Sequence, residues 1–165
     1  PRDPDRVLFY ARTVTPRRAV PLGLLALEEL RARRPRTTIA LYGDATPLAG
    51  DFVQLGILDP PAVAREYARA AVGVVLSLTN HSLVAQEMAA FGLPAVELRT
   101  PSTEAAFWDS PIELAEPTVL GLADAIERVL DDPGDRSQDG IEWAAGRTWD
   151  KAAAVVEAGL RAALG

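Results

Sequence analysis

Short apolar runs of β character alternate along this chain with segments whose apolar residues recur at helical spacing. The first run, Arg6 to Ala11, holds Val7, Leu8, Phe9 and Tyr10 in unbroken apolar sequence, as expected of a central strand buried on both faces. From Ala19 to Arg34, Leu22, Leu25, Ala26 and Leu30 fall on one helical face, and Pro35 stops the element before a second strand, Thr38 to Tyr42. Gly43 and Asp44 break that strand. Phe52 to Leu55 reads as a short third strand. Asp59-Pro60-Pro61 then opens a helix running to about Ala71, with a capping side chain and prolines in the first turn.

The same alternation continues through the second half. Val72 to Leu78 predicts a fourth strand, Leu83 to Phe91 a helix ended by Gly92-Leu93-Pro94, and Ala95 to Leu98 a fifth strand. Thr100 to Ser110 reads as loop, Ile112 to Leu114 as a weak strand, and Thr118 to Leu130 as an amphipathic helix closed by Asp131-Asp132-Pro133-Gly134. Two helices follow, one around Trp143 and one from Asp150 to Leu164. This order predicts an α/β fold: a Rossmann-like parallel sheet of about six strands with helices on both faces, forming one domain over residues 1–165.

Composition narrows the chemistry. The chain has no cysteine and one histidine, His81, which removes disulfides, thiolate metal sites and cysteine nucleophiles and leaves no histidine-rich metal centre. A net charge of −6 opposes nonspecific attraction to nucleic acid or anionic lipid. No apolar run approaches the roughly 18 to 20 residues of a membrane span, and Pro1 to Arg6 does not read as a signal peptide. The expectation is a soluble, cytoplasmic protein, with peripheral membrane contact of the full-length protein left open. The charge is uneven, however: residues 1–36 carry nine arginines against four acids. Arg31, Arg33, Arg34 and Arg36 are expected to solvate a helix end, whereas Arg12, Arg17 and Arg18 lie in a loop and fit an anion site.

In an open parallel sheet, ligands bind beyond the C-terminal ends of strands where neighbouring connections diverge. The loop after the first strand places Arg12 and Arg18 six positions apart at the entry to a helix. Two permanently charged planar donors suit a nucleotide diphosphate. The loop after the fourth strand, Ser77 to Ser82, leads into a helix whose free backbone N–H groups near Ser82, Leu83 and Val84 can also face an anion; Ser82 serves equally as a cap. Glu87, one turn into that helix among Leu83, Val84, Met88 and Ala89, needs a partner, either ligand hydroxyls or a structural arginine. His81 fits a sugar or phosphate contact or an ordinary surface histidine.

These elements together resemble the C-terminal domain of GT-B glycosyltransferases, of the retaining, group 1 type. The resemblance rests on the loop from Arg12 to Arg18, the turn Leu41-Tyr42-Gly43-Asp44, the segment Leu55-Gly56-Ile57-Leu58, and the helix from Glu87 to Gly92-Leu93-Pro94. In that family an arginine after the first strand and a lysine six positions later grip the donor diphosphate, which assigns these roles to Arg12 and Arg18. The family's motif of two glutamates separated by seven residues gives Glu87 the ribose hydroxyls and the backbone at Leu83 and Val84 the phosphate. Thr79 stands where the first glutamate would be, and Asn80, His81 and Ser82 replace small and aromatic residues.

The resemblance places the base over Gly43, whose lack of a side chain permits close approach, and beside Ile57 and Leu58, for which core packing at the sheet edge is the alternative. The variant Thr-Asn-His-Ser-Leu-Val is similar to that of rhamnosyltransferases of bacterial surface glycans, which implies a dTDP-rhamnose donor; a UDP-linked donor stays open, and no separate cofactor or metal is expected. The implied reaction transfers the sugar to a hydroxyl of a glycan acceptor held by an N-terminal domain outside this sequence. Arg12, Arg18 and the helix start would stabilise the departing diphosphate, so the isolated domain is expected to bind donor and turn over poorly. A non-hydrolysing sugar-nucleotide epimerase and a noncatalytic nucleotide-sugar module remain alternatives. A receiver-type domain is disfavoured because the first strand ends in Ala11-Arg12, and a dinucleotide oxidoreductase because the first loop lacks glycine.

Overall fold

The computed structural model describes residues 1–164. Strands β1 (Arg6–Tyr10), β2 (Thr38–Tyr42), β3 (Val53–Gly56), β4 (Val72–Val74), β5 (Ala95–Leu98) and β6 (Glu113–Ala115) form one sheet in the order β3-β2-β1-β4-β5-β6. Every pairing is parallel. The helices are α1 (Val20–Arg33), α2 (Pro60–Arg69), α3 (Leu83–Ala90), α4 (Pro101–Phe107), α5 (Val119–Asp131), α6 (Arg136–Ala145) and α7 (Trp149–Leu164), with a 3-10 turn at Pro16–Arg18.

Side-chain alternation along the strands divides the core in two. Val7, Phe9, Ile39, Leu41, Val72, Val74, Val96 and Leu98 pack with α1 and α5 on one face. Leu8, Ala40, Tyr42, Val75 and Ala95 pack on the other with Tyr67 of α2, Ala85 and Met88 of α3, and Phe107 of α4. The sheet is therefore covered on both faces, which explains the unbroken apolar run in β1. None of the described helices is long and apolar enough to cross a membrane.

The structure corrects four expectations. In α1 the buried face is Val20, Gly23, Ala26, Leu27 and Leu30, while Leu25 is 54% exposed. Gly23 is on that face because the Phe9 ring occupies the space a Cβ would need. Residues 101–107 are helical rather than loop: Thr100 and Thr103 form a reciprocal cap and Pro101 sits in the first turn. The fourth strand ends at Val74 instead of Leu78: Val75 N still reaches Val96 O, but from Ser77 onward the main chain bonds to the Glu97 side chain and the Arg17 loop. Finally, Arg31, Arg33 and Arg34 do more than solvate a helix end. Arg33 pairs with Asp124 at 2.6 Å and Glu127 at 3.3 Å, Arg34 pairs with Asp131, and Arg31 reaches Asp51 at 3.3 Å. The Arg33 and Arg34 pairs join α1 to α5 at the surface, where each contributes little individually.

Candidate functional site

Topology places the site. β1 leads to α1 on one face and its neighbour β4 leads to α3 on the other, so the chain diverges between them and leaves a crevice at the strand ends. A cavity of about 460 Å³ opens there. Its walls come from Tyr10 and Arg12 at the end of β1, Tyr42, Gly43 and Asp44 at the end of β2, Ile57 and Leu58 after β3, Tyr67 on α2, and Val84 and Glu87 on α3. Elements far apart in sequence converge here because parallel strands all end on the same edge.

The arginines arrive in different states. Arg12 is exposed on the cavity wall, with no ion-pair partner among the described residues. Arg18 is half-buried; its Nη1 donates to Ser82 Oγ at 2.8 Å and to Leu76 O at 3.4 Å, and its guanidinium lies 5.3 Å from the centre of the Tyr10 ring. These contacts fix the plane of the side chain, and its Nε and Nη2 have no protein partner among the described residues. The 3-10 turn that carries Arg18 ends at Ala19, which has φ of 45°. A non-glycine residue in this left-handed region stores backbone strain. The turn thereby enters α1 without a glycine. Arg17 contributes its main chain: Leu78 N donates to Arg17 O at 2.9 Å.

The loop after β4 is held by the same neighbourhood. Ser82 is buried and caps α3, accepting from Val84 N at 3.2 Å, so its hydroxyl serves the helix and Arg18 together. Ser77 Oγ donates to Asn80 Oδ1 at 3.0 Å. Thr79, Asn80 and His81 are exposed, and the His81 ring meets Phe107 edge-on at 5.9 Å. Leu83 faces away from this cavity, toward a second one of about 540 Å³ bounded by Arg147 and Trp149.

Glu87 borders both cavities. It is exposed and has no arginine partner among the described residues, which removes the structural pair from the two roles its sequence allowed. Partial desolvation by the surrounding walls nevertheless holds its carboxyl above the ordinary value. Ile57 is 72% exposed, so packing in the sheet core is excluded for it; Leu58 is half-buried.

Gly43 also has a reason for glycine within the protein itself. Its φ is +105°, and a Cβ there would lie 2.6 Å from the Tyr10 ring. The close approach that requires glycine is to Tyr10.

Sequence reasoning missed the aromatic wall. Tyr10 and Tyr42 stack obliquely at 5.1 Å, and Tyr42 Oη and Tyr67 Oη share a buried hydrogen bond of 2.8 Å. Burial raises both hydroxyls, Tyr67 to about 12, so both stay protonated at neutral pH. The available signal was position: Tyr10 and Tyr42 are the last residues of β1 and β2. Also missed was a bridge between loops, in which Thr13 donates through its backbone N at 3.0 Å, and through its hydroxyl, to the Asp44 carboxylate. The bond from the Thr13 hydroxyl, then those from the Thr46 and Thr13 backbone, lower the Asp44 carboxyl below its ordinary value. Among the described residues no three His, Cys, Asp or Glu side chains gather as a metal site.

Comparison with known proteins follows this geometry. Residues 5–127 match the family described as WsaF, C-terminal domain. No curated protein sequence matches the chain. Among solved structures, the chain is similar to sucrose-phosphate synthase from Thermosynechococcus elongatus, with 25% identity and a TM-score of 0.73 over 99% of this chain and 46% of that one. It is similar to Anabaena HepE, solved with UDP and glucose, at 17% identity and a TM-score of 0.72 over 87% of this chain and 44% of that one. A third is the pneumococcal O-GlcNAc transferase GtfA, solved with UDP and GlcNAc, at 14% identity and a TM-score of 0.68 over 99% and 36%. The chain thus spans less than half the length of each. The fold is that of a GT-B C-terminal domain.

Proposed function

The chain belongs to the WsaF C-terminal domain family, and from that premise we propose that it is the donor-binding domain of a glycosyltransferase, taking a nucleoside-diphosphate sugar in the crevice between β1 and β4. The observation that carries this reading is the convergence of Arg12, Val84 at the start of α3 and Glu87 on one cavity, with Arg18 held beside it by Ser82 and the wall residue Tyr10. Arg18, held by Ser82 and Tyr10, offers its free N–H groups to the diphosphate, and Arg12 adds a second charge from the cavity wall. The start of α3 contributes backbone N–H groups of Leu83 and Val84. Glu87, with no protein partner among the described residues, accepts from the ribose hydroxyls. The base then lies toward Gly43, Ile57 and Leu58, against the tyrosine wall. Thr79, Asn80 and Ser82 border the position of the sugar and phosphate, although Ser82 acts through Arg18.

In the reaction the bond between the anomeric carbon and the diphosphate oxygen breaks as an acceptor hydroxyl attacks. Negative charge grows on the leaving diphosphate, and preorganised donors there are worth roughly 10² to 10³ in rate apiece. The glycan acceptor belongs to a further domain outside this sequence; the chain's share of 46% of the sucrose-phosphate synthase length supports that division. The finer reading is a dTDP-rhamnose donor, supported by Thr79 in place of a carboxylate in a loop otherwise rich in small polar groups.

Calorimetric titration with UDP, dTDP and their sugars tests the reading. Saturable binding of a nucleoside diphosphate is expected, with little sugar transfer by this chain alone. Absence of binding to every nucleoside diphosphate would overturn the assignment, and a preference for UDP-sugars over dTDP-rhamnose would remove the finer one.

A further inference from the structure

The ladder between β4 and β5 stops one rung short of where its register leads. Gly73 N donates to Pro94 O at 2.8 Å and Val75 N to Val96 O at 3.1 Å, so the next two-residue step would join Ser77 N to Leu98 O. That bond is replaced. Ser77 N donates to Glu97 Oε1 at 2.7 Å, Leu98 N donates to the same oxygen at 3.0 Å, and Leu98 O instead accepts from Thr103 Oγ1 at 2.6 Å.

Glu97 and Thr103 are both fully buried, and Glu97 Oε2 has no hydrogen-bond partner among the described residues. A carboxyl in an otherwise apolar strand, with one oxygen unpaired, costs stability. Among the described residues Glu97 forms no direct ion pair, and the charge of Arg18 acts on it only at a distance. What the carboxyl does geometrically is take over the main-chain donor of Ser77, at the first residue of the loop that leads to Ser82 and Arg18.

From these bonds we propose that Glu97 is a positioning residue for diphosphate binding: with Thr103 it holds the end of β4 out of the sheet and so sets the loop 77–82. The other side of the same segment is held by Leu76 O, which accepts from Arg18, and by Leu78 N, which donates to Arg17 O. The segment is thus suspended between β5 and the arginine loop. If Ser77 returned to the ladder, the loop would shift toward β5 and take Ser82, the anchor of Arg18, with it. The proposal rests on the donor-binding reading given above.

The test compares UDP with uridine, which lacks the diphosphate. In Glu97→Ala, UDP affinity should fall about tenfold or more while uridine affinity stays within about twofold, since a lost charge-oriented contact is of that order. Glu97→Gln, which keeps an acceptor at Oε1, should restore UDP binding. Thr103→Val frees Leu98 O to recapture Ser77 N and should reproduce the UDP-selective loss, which decides the matter if Glu97→Ala does not fold. Equal losses for UDP and uridine, no loss in either, or no rescue by Glu97→Gln would each overturn the positioning role. An unsubstituted chain that binds no UDP would instead overturn the reading of the crevice, and this proposal with it.

Discussion

The crevice has a tyrosine end and an arginine end, built on different physical principles. At the tyrosine end the groups are rings on the last residues of β1 and β2 and on α2, neighbouring rings packed at 5.1 and 6.2 Å, with the buried hydroxyls of Tyr42 and Tyr67 paired. Their positions follow from the sheet and need no loop to hold them. At the arginine end the groups sit on two loops, and their positions depend on a chain of hydrogen bonds from Glu97 to Ser77, and from Ser82 and Leu76 to Arg18. Rigid rings suit a flat ligand part whose shape is constant. A hydrogen-bonded loop suits a charged part, because its donors can be aimed at an anion without filling the space it occupies. The contrast teaches that one ligand-sized cavity can be part framework and part suspended loop, with different sensitivities to substitution and pH.

The largest expected effect breaks the comparison through pH. Burial raises the Glu97 carboxyl to about 8, above its value in the unfolded chain, so the folded state holds a proton that the unfolded state loses. Stability is then full below about pH 4.5, falls as pH rises from there toward 8, and levels off once the folded carboxyl ionises as well. The loss is on the order of a few kcal/mol. Thermal melts across this window should show it in the unsubstituted chain and a much flatter profile in Glu97→Gln; parallel profiles would mean the carboxyl is not held protonated. Asp44 does not interfere, because its lowered carboxyl acts below about pH 4, where stability falls as pH drops.

Next in size is Arg18→Ala, which removes a charged donor at the arginine end. UDP affinity should fall roughly 10- to 100-fold, from about 1.5 to 3 kcal/mol for hydrogen bonds to a charged group, with uridine little affected and the melting temperature nearly unchanged. Glu87→Ala sharpens the comparison from the opposite side. It should weaken UDP and uridine together by about tenfold, since the ribose is common to both; a loss confined to UDP would move Glu87 to the phosphate. The smallest expected effect is Tyr67→Phe, which leaves the Tyr42 hydroxyl buried without its partner and should cost about 1 to 2 kcal/mol of stability, measured by denaturant unfolding.

Much of the framework was legible from periodicity. The strand at β1, the helix starts at Asp59 and Ser82, and the stop at Gly92-Leu93-Pro94 follow from local rules of burial, capping and backbone freedom, and all are present. Arg12, Arg18 and Glu87 could be singled out because they stand in loops or helix starts at the C-terminal edge of the strands. The helix at Pro101–Phe107 was misread although its Thr100 and Thr103 cap lies in plain sequence, because seven residues are too few for an apolar period to show. The tyrosines were passed over because an aromatic at the end of an apolar strand reads as core until neighbouring strand ends are known.

The sequence by itself determined the alternation of elements, the coverage of the sheet on both faces, and the supply of cations and backbone donors at the C-terminal strand edge, since each depends on residues within a few positions of one another. Only the tertiary structure decided that Arg18 rests on Ser82, 64 positions away, that Gly43 makes room for Tyr10, and that Glu97 replaces a rung of the ladder. Those outcomes depend on which strands become neighbours and in what register, a property of long-range packing that no local pattern encodes.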